Sequence, residues 1–121
     1  MISSHDLQTY IAGAKQRQRQ KQILLNDRYE LLQTVAQKGA EILKIDFAAH
    51  KVWLFGSGLR RDLIHVESDV DLAVEGLAEA SYFRAVSRLL DLNANVSVDL
   101  VMLDDASESL RDRIIREGKE L

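Results

Sequence analysis

After His50 the hydrophobic period of the chain changes, and that change limits its fold more than any other feature. Upstream, apolar residues recur at helical spacing. Lys51-Val52-Trp53-Leu54-Phe55 is instead a short apolar run rich in β-branched and aromatic residues, cut off by Gly56-Ser57-Gly58. Such a run predicts a buried strand entering a glycine turn. Two further runs have the same character: Asp69 to Val74, followed by Gly76, and Val96 to Leu103. Between them, Tyr82, Phe83, Val86, Leu89 and Leu90 fall on one side of a helix predicted over about 77–92. Leu110, Ile114 and Ile115 do the same for a last helix over 106–117, stopped by Gly118. Strands and helices interleaved without an interior linker predict one α/β (α+β) domain, a small mixed sheet flanked by helices.

The chain has no proline, so nothing forcibly breaks its helices. Ser3 and Asp6 mark a helix start, and Leu7, Tyr10, Ile11 and Ala14 follow at helical spacing. Gln16 to Gln22 has good helix propensity but no apolar stripe, which predicts an exposed helix or a partly ordered arm. Asn26-Asp27, with Glu30 in capping-box position, predicts a fresh start. The stripe Leu31, Leu32, Val35, Ala36, Ile42, Leu43 and Ile45 then carries a long amphipathic helix to about Asp46. Residues 1–26 are accordingly expected to be an N-terminal helical extension and 27–121 the domain proper.

Charge divides the chain at the same place. The net charge is −3, but residues 1–25 hold Lys15, Arg17, Arg19 and Lys21 against Asp6, giving +3 and leaving −6 for the rest. A domain so acidic is not expected to bind DNA directly, and it needs a cation to hold phosphate. The basic leader suits an acidic partner or a second copy, so a homo- or hetero-oligomer is expected. Cysteine is absent, which excludes disulfides and thiolate chemistry. No apolar run approaches the roughly 20 residues of a membrane span, and MISSHDLQTY has no signal-peptide pattern, so a cytoplasmic protein without a membrane partner is expected.

Three features carry chemistry. The Gly56-Ser57 turn lets backbone N–H groups approach an anion closely, with Arg60 and Arg61 following. Asp69 and Asp71, two apart on a strand, face one side with Cα atoms roughly 7 Å apart. Two charges so placed repel by about 2 kcal/mol at an effective dielectric near 20, a penalty that a shared divalent cation removes. Asp99 lies among Val98, Leu100 and Val101, where a carboxylate is costly unless paired or metal-bound. Each feature alone has an ordinary explanation: a turn, a solvated acid pair, an acid at a sheet edge. Together they form a phosphate cradle and a carboxylate trio suited to Mg²⁺, which also takes phosphate oxygens as ligands.

Gly56-Ser57, Asp69-x-Asp71 and Asp99 resemble the nucleotidyltransferase superfamily that includes DNA polymerase β and the kanamycin nucleotidyltransferases. The chain is more closely similar to the minimal nucleotidyltransferases (MNT), antitoxins paired with HEPN-domain toxins. The resemblance runs from about Lys51 to the end, including Arg113-Ile114-Ile115-Arg116-Glu117-Gly118. It implies a polymerase β-like fold and a nucleoside triphosphate, ATP, as substrate. It assigns the phosphates to Gly56, Ser57 and Arg60, the catalytic Mg²⁺ to Asp69, Asp71 and Asp99, and activation of the acceptor hydroxyl to Asp99. It also implies AMP transfer to a tyrosine of a HEPN toxin. The segment from Gly58 to Ser68, eleven residues, is one longer than is usual between the serine and the first aspartate, and Arg61 stands where glycine is common. The loop carrying Arg60 is therefore expected to be shaped differently.

Other chemistries lack their patterns. Arg61 occupies the third glycine position of GxGxxG, and neither GxxxxGK[ST] nor GxSxG occurs. His5, His50 and His65 share no ligand spacing, and Trp53 and Phe55 lie at strand spacing, as core residues do. The alternative to an enzyme is a non-catalytic module of the same fold that neutralises a HEPN ribonuclease toxin by covering it.

Overall fold

The computed structural model describes residues 2–121. Its first element is a single helix, α1 (Ser4–Ile45), 42 residues long and so about 63 Å at 1.5 Å per residue. The Ser3 hydroxyl caps it by accepting a hydrogen bond from the Asp6 amide, and Asp6 complements the positive end of the helix. The break expected at Asn26-Asp27 does not occur. A capping side chain ends a helix only where the backbone leaves it. Here Gln22 Nε2 donates to Asn26 Oδ1 one turn on, at 3.2 Å, and the helix continues.

The two halves of α1 differ in what they touch. Leu32, Val35, Ala36, Gly39, Ala40 and Leu43 form a buried stripe at helical spacing, whereas Ile2 to Ala12 and Lys15 to Leu24 are exposed. We expect a chain starting at Asn26 to melt cooperatively within a few degrees of the full-length protein, since substitutions at exposed positions typically shift stability by no more than about 0.5 kcal/mol. Thermal denaturation followed by circular dichroism checks this, and a truncated chain that fails to fold would place the leader within the core.

Four strands follow: β1 (Lys51–Phe55), β2 (Val70–Glu75), β3 (Val98–Met102) and β4 (Lys119–Glu120). They form one mixed sheet in the order β3-β2-β1-β4, with β2 and β3 parallel and the other pairs antiparallel. Helix α2 (Tyr82–Leu90) makes the crossover from β2 to β3, and Tyr82 Oη donates to the Leu100 carbonyl at 2.8 Å. Helix α3 (Glu108–Glu117), capped by Ser107, leads into β4.

Both faces of the sheet are covered, which is why β1 is buried at three successive residues, Val52, Trp53 and Leu54. One face carries Val52, Leu54, Val70, Leu72, Val74, Val98 and Leu100 against the α1 stripe and Ala85 and Leu89 of α2. The other carries Trp53, Ala73 and Phe55 against Leu103 and Ile114 of α3. The odd-numbered aspartates of β2 and β3 belong to this second face, beside α3. Among the described residues no helix is long and apolar enough to cross a membrane.

Candidate active site

The sheet register assembles the site. Phe55, the last residue of β1, pairs with Asp71, which pairs on its other side with Asp99. Residues directly opposite on neighbouring strands share a face, so Asp71 lies between the end of β1 and Asp99 on the α3 side of the sheet. Strand β1 then turns at Gly56, whose φ is +79°, a region that favours glycine. A Cβ at Gly56 would collide with the Asp71 carboxylate. The missing side chain is what lets the turn and the acid occupy adjacent space.

Asp71 bears the electrostatic load of this arrangement. Burial, then the charge of Asp99 and a hydrogen bond with it, then the charge of Asp69, push its pKa from 3.8 to about 6. No basic side chain is among the groups acting on it. Asp99 is exposed, because β3 is the edge strand. This corrects the expectation of a carboxylate enclosed by its apolar neighbours: Val98 and Leu100 point to the opposite face, and Asp99 is held at the sheet edge beside Asp71.

Asp69 is placed differently. It precedes β2, and its Oδ1 accepts hydrogen bonds from the Ser97 amide at 3.0 Å and from Arg28 Nη2 at 3.4 Å. Among the described residues no three acids or histidines are gathered into a ready metal cage. The Asp71–Asp99 pair nevertheless suits a hard divalent cation by its chemistry: two carboxylates brought together without a protein cation near Asp71. Asp69 Oδ2 takes part in neither of the two hydrogen bonds.

The turn residues complete the wall. Ser57 is half-buried and its hydroxyl donates to Ser68 Oγ at 3.4 Å; Ser68, itself buried, accepts from the His65 amide at 2.9 Å. The Gly58 carbonyl accepts from Gln33 Nε2 at 2.8 Å. Arg60 is exposed and forks onto Asp62 through Nε and Nη2 at 3.2 and 2.8 Å, a partner within its own loop. The Arg60 side chain holds Asp62 below the usual carboxylate range. A cleft of about 740 Å³ opens beside the turn between Phe55, Gly56, Ser57, Arg60 and the α3 residues Leu110 and Arg113, large enough for a nucleotide.

Arg28 and Gln33 are absent from the sequence motifs. For Arg28 the signal was a charge at helical spacing from Leu32, Val35 and Gly39 on the stripe that α1 buries; Gln33 carried none.

Comparison with known proteins gives a consistent result. Among curated protein sequences none matches the chain. Among solved structures, a toxin–antitoxin MntA-HepT chain is 26% identical, with a TM-score of 0.53, over 73% of this chain and 69% of that one. A toxin–antitoxin chain solved with AMP-PNP is 27% identical, with a TM-score of 0.57, over 69% of this chain and 70% of that one. The family profile described as "Polymerase beta, Nucleotidyltransferase" matches residues 37–121, from the buried half of α1 to the end. With the glycine turn, the in-register aspartates and most of the sequence in agreement, the chain belongs to the polymerase beta nucleotidyltransferase family.

Proposed function

We propose that the protein is a Mg²⁺-dependent nucleotidyltransferase that moves AMP from ATP onto a hydroxyl, the acceptor being a tyrosine of a HEPN-domain toxin, and that it thereby acts as an antitoxin in the cytoplasm. The observation that carries this reading is the register Phe55–Asp71–Asp99, which sets two acids of the same face next to the Gly56-Ser57 turn; the turn, though not the acids, lines a nucleotide-sized cleft. The similarity to toxin–antitoxin chains, one of them solved with AMP-PNP, supports the substrate and the partner.

In this reading the Gly56-Ser57 turn binds the triphosphate through backbone N–H groups and the Ser57 hydroxyl. Arg60 would join it only by leaving Asp62. Asp71 and Asp99, with Asp69 Oδ2, would hold Mg²⁺. Bound there, the ion would offset charge on the triphosphate and on the departing pyrophosphate. Asp99, open to solvent at the sheet edge, receives the proton of the acceptor hydroxyl. The acceptor oxygen bonds to the α-phosphorus as the bond to the bridging oxygen breaks, and pyrophosphate leaves.

Incubation with labelled ATP, Mg²⁺ and the HEPN partner tests this. AMP-sized mass additions on partner tyrosines, lost in EDTA, are expected. Tight partner binding without any addition would instead favour the non-catalytic module.

A further inference from the structure

We propose that Arg28, contributed by α1 from outside the family-matched segment, is a positioning residue that fixes the Asp69 carboxylate for the cation and nucleotide. This rests on the nucleotidyltransferase reading above.

Residues 28–33 form one turn and a half of α1, and they brace both walls of the site. Gln33 fastens the Gly58 carbonyl, Leu32 packs under Gly58, and the Arg61 guanidinium lies 4.1 Å from the centre of the Tyr29 ring. Arg28 holds the opposite wall. Its side chain is only 13% exposed, and its Nε donates to the Ser68 carbonyl at 2.9 Å while Nη2 reaches Asp69 Oδ1 at 3.4 Å. The shorter bond is to the backbone, so the arginine is anchored on Ser68 independently of the carboxylate it steers.

The Ser97 amide approaches the same Oδ1 at 3.0 Å. One oxygen of Asp69 is thus held from two sides, by α1 and by the residue before β3, and the other, Oδ2, takes part in neither bond. A rigid guanidinium fork can serve two acceptors in this way; an ammonium cannot reproduce the geometry. The family match begins at residue 37, so this support comes from upstream of the matched segment.

The test is Mn²⁺ binding in the presence of ATP, read by electron paramagnetic resonance, for wild type, Arg28→Met and Arg28→Lys, with melting curves in EDTA. Groups that orient metal ligands typically contribute 10- to 100-fold in affinity, so Arg28→Met should weaken Mn²⁺ binding by about that factor. Arg28→Lys, which keeps the charge but not the fork, should recover only part of it. Affinities within about twofold of wild type in both variants, or tighter binding in either, would overturn the proposal. Full recovery by lysine would also overturn it, because charge alone would then suffice. If Arg28→Met melts without a cooperative transition, Arg28→Lys alone decides the matter by the same criteria. Wild-type protein that binds no Mn²⁺ with ATP would defeat the nucleotidyltransferase reading itself, and this assignment with it.

Discussion

Asp99→Asn should leave nucleotide bound while abolishing most of the transfer. Asparagine keeps the size of the side chain and much of its hydrogen bonding, but it cannot take a proton and is a poor ligand for a hard cation. The position explains why the two effects separate. Asp99 stands at the open edge of the sheet, where an incoming side chain can reach it, whereas Gly56 and Ser57 line the cleft and Asp71 lies inward of Asp99, against Gly56. Nucleotide affinity should therefore fall modestly and turnover by about 10²–10⁴-fold, the usual contribution of a general base. Mass spectrometry of a co-expressed HEPN partner reads the loss as missing AMP-sized additions. Equal modification by wild type and Asp99→Asn would refute the role given to Asp99.

Asp71→Asn should do the opposite to stability and function: weaken Mg²⁺–ATP binding by at least about tenfold and raise the melting temperature of the ligand-free protein. Burial and the neighbouring Asp99 and Asp69 hold the Asp71 carboxyl near 6 instead of 3.8. The fold therefore favours its neutral form. Its contribution to stability is fully present below pH 3.8, is lost as pH rises through about 6, and leaves an ionised, repelled carboxylate at neutral pH. A shift of this size corresponds to about 3 kcal/mol for a shielded group. Asp71 is half-exposed, and solvent screening reduces the figure to about 1 kcal/mol, or roughly 4–6 °C for a domain of this size. In EDTA at pH 7.5 the variant should melt higher by that amount, and the gain should vanish near pH 4. Calorimetric titration with Mg²⁺–ATP supplies the functional half, and in wild type the affinity should decline as pH falls below about 6. A variant that melts lower than wild type at pH 7.5 would contradict the origin assigned to the shift.

Where the chain punctuates itself, the fold was legible in advance. Strand β1 runs from Lys51 to Phe55, as the apolar run bounded by Gly56 predicts, and β2 and β3 fall within two residues of their predicted starts and ends. Strand β4 went unread because two residues carry no period; it exists only because Trp53 and Leu54 offer an open edge to Lys119 and Glu120. The continuity of α1 across Asn26-Asp27 was equally hidden, since capping residues look the same whether or not the backbone turns away. For the site, same-face spacing predicts that Asp69 and Asp71 share one side of a strand, but Asp69 precedes β2 and is bonded to Arg28 and the Ser97 amide, and strand order is a property of the whole sheet. Only the order β3-β2-β1 puts Asp99 beside Asp71 and at an edge. The hydrogen bonds of Arg28 span 40 and 41 residues, and no local motif encodes a contact of that range.

The unbroken α1 also acts as a ruler. From Ser4 to Arg28 there are 24 residue steps without a proline, about 36 Å of rigid rod, ending at the arginine that touches Asp69. Whatever grips the far end is therefore held at a set distance and at a set angle around the helix axis relative to the carboxylates. Each residue advances that angle by about 100°. Removing one residue from the exposed stretch 15–24 would swing Leu7, Tyr10 and Ile11 about a quarter of the way round the axis without disturbing the core, and removing seven would bring them back nearly into phase.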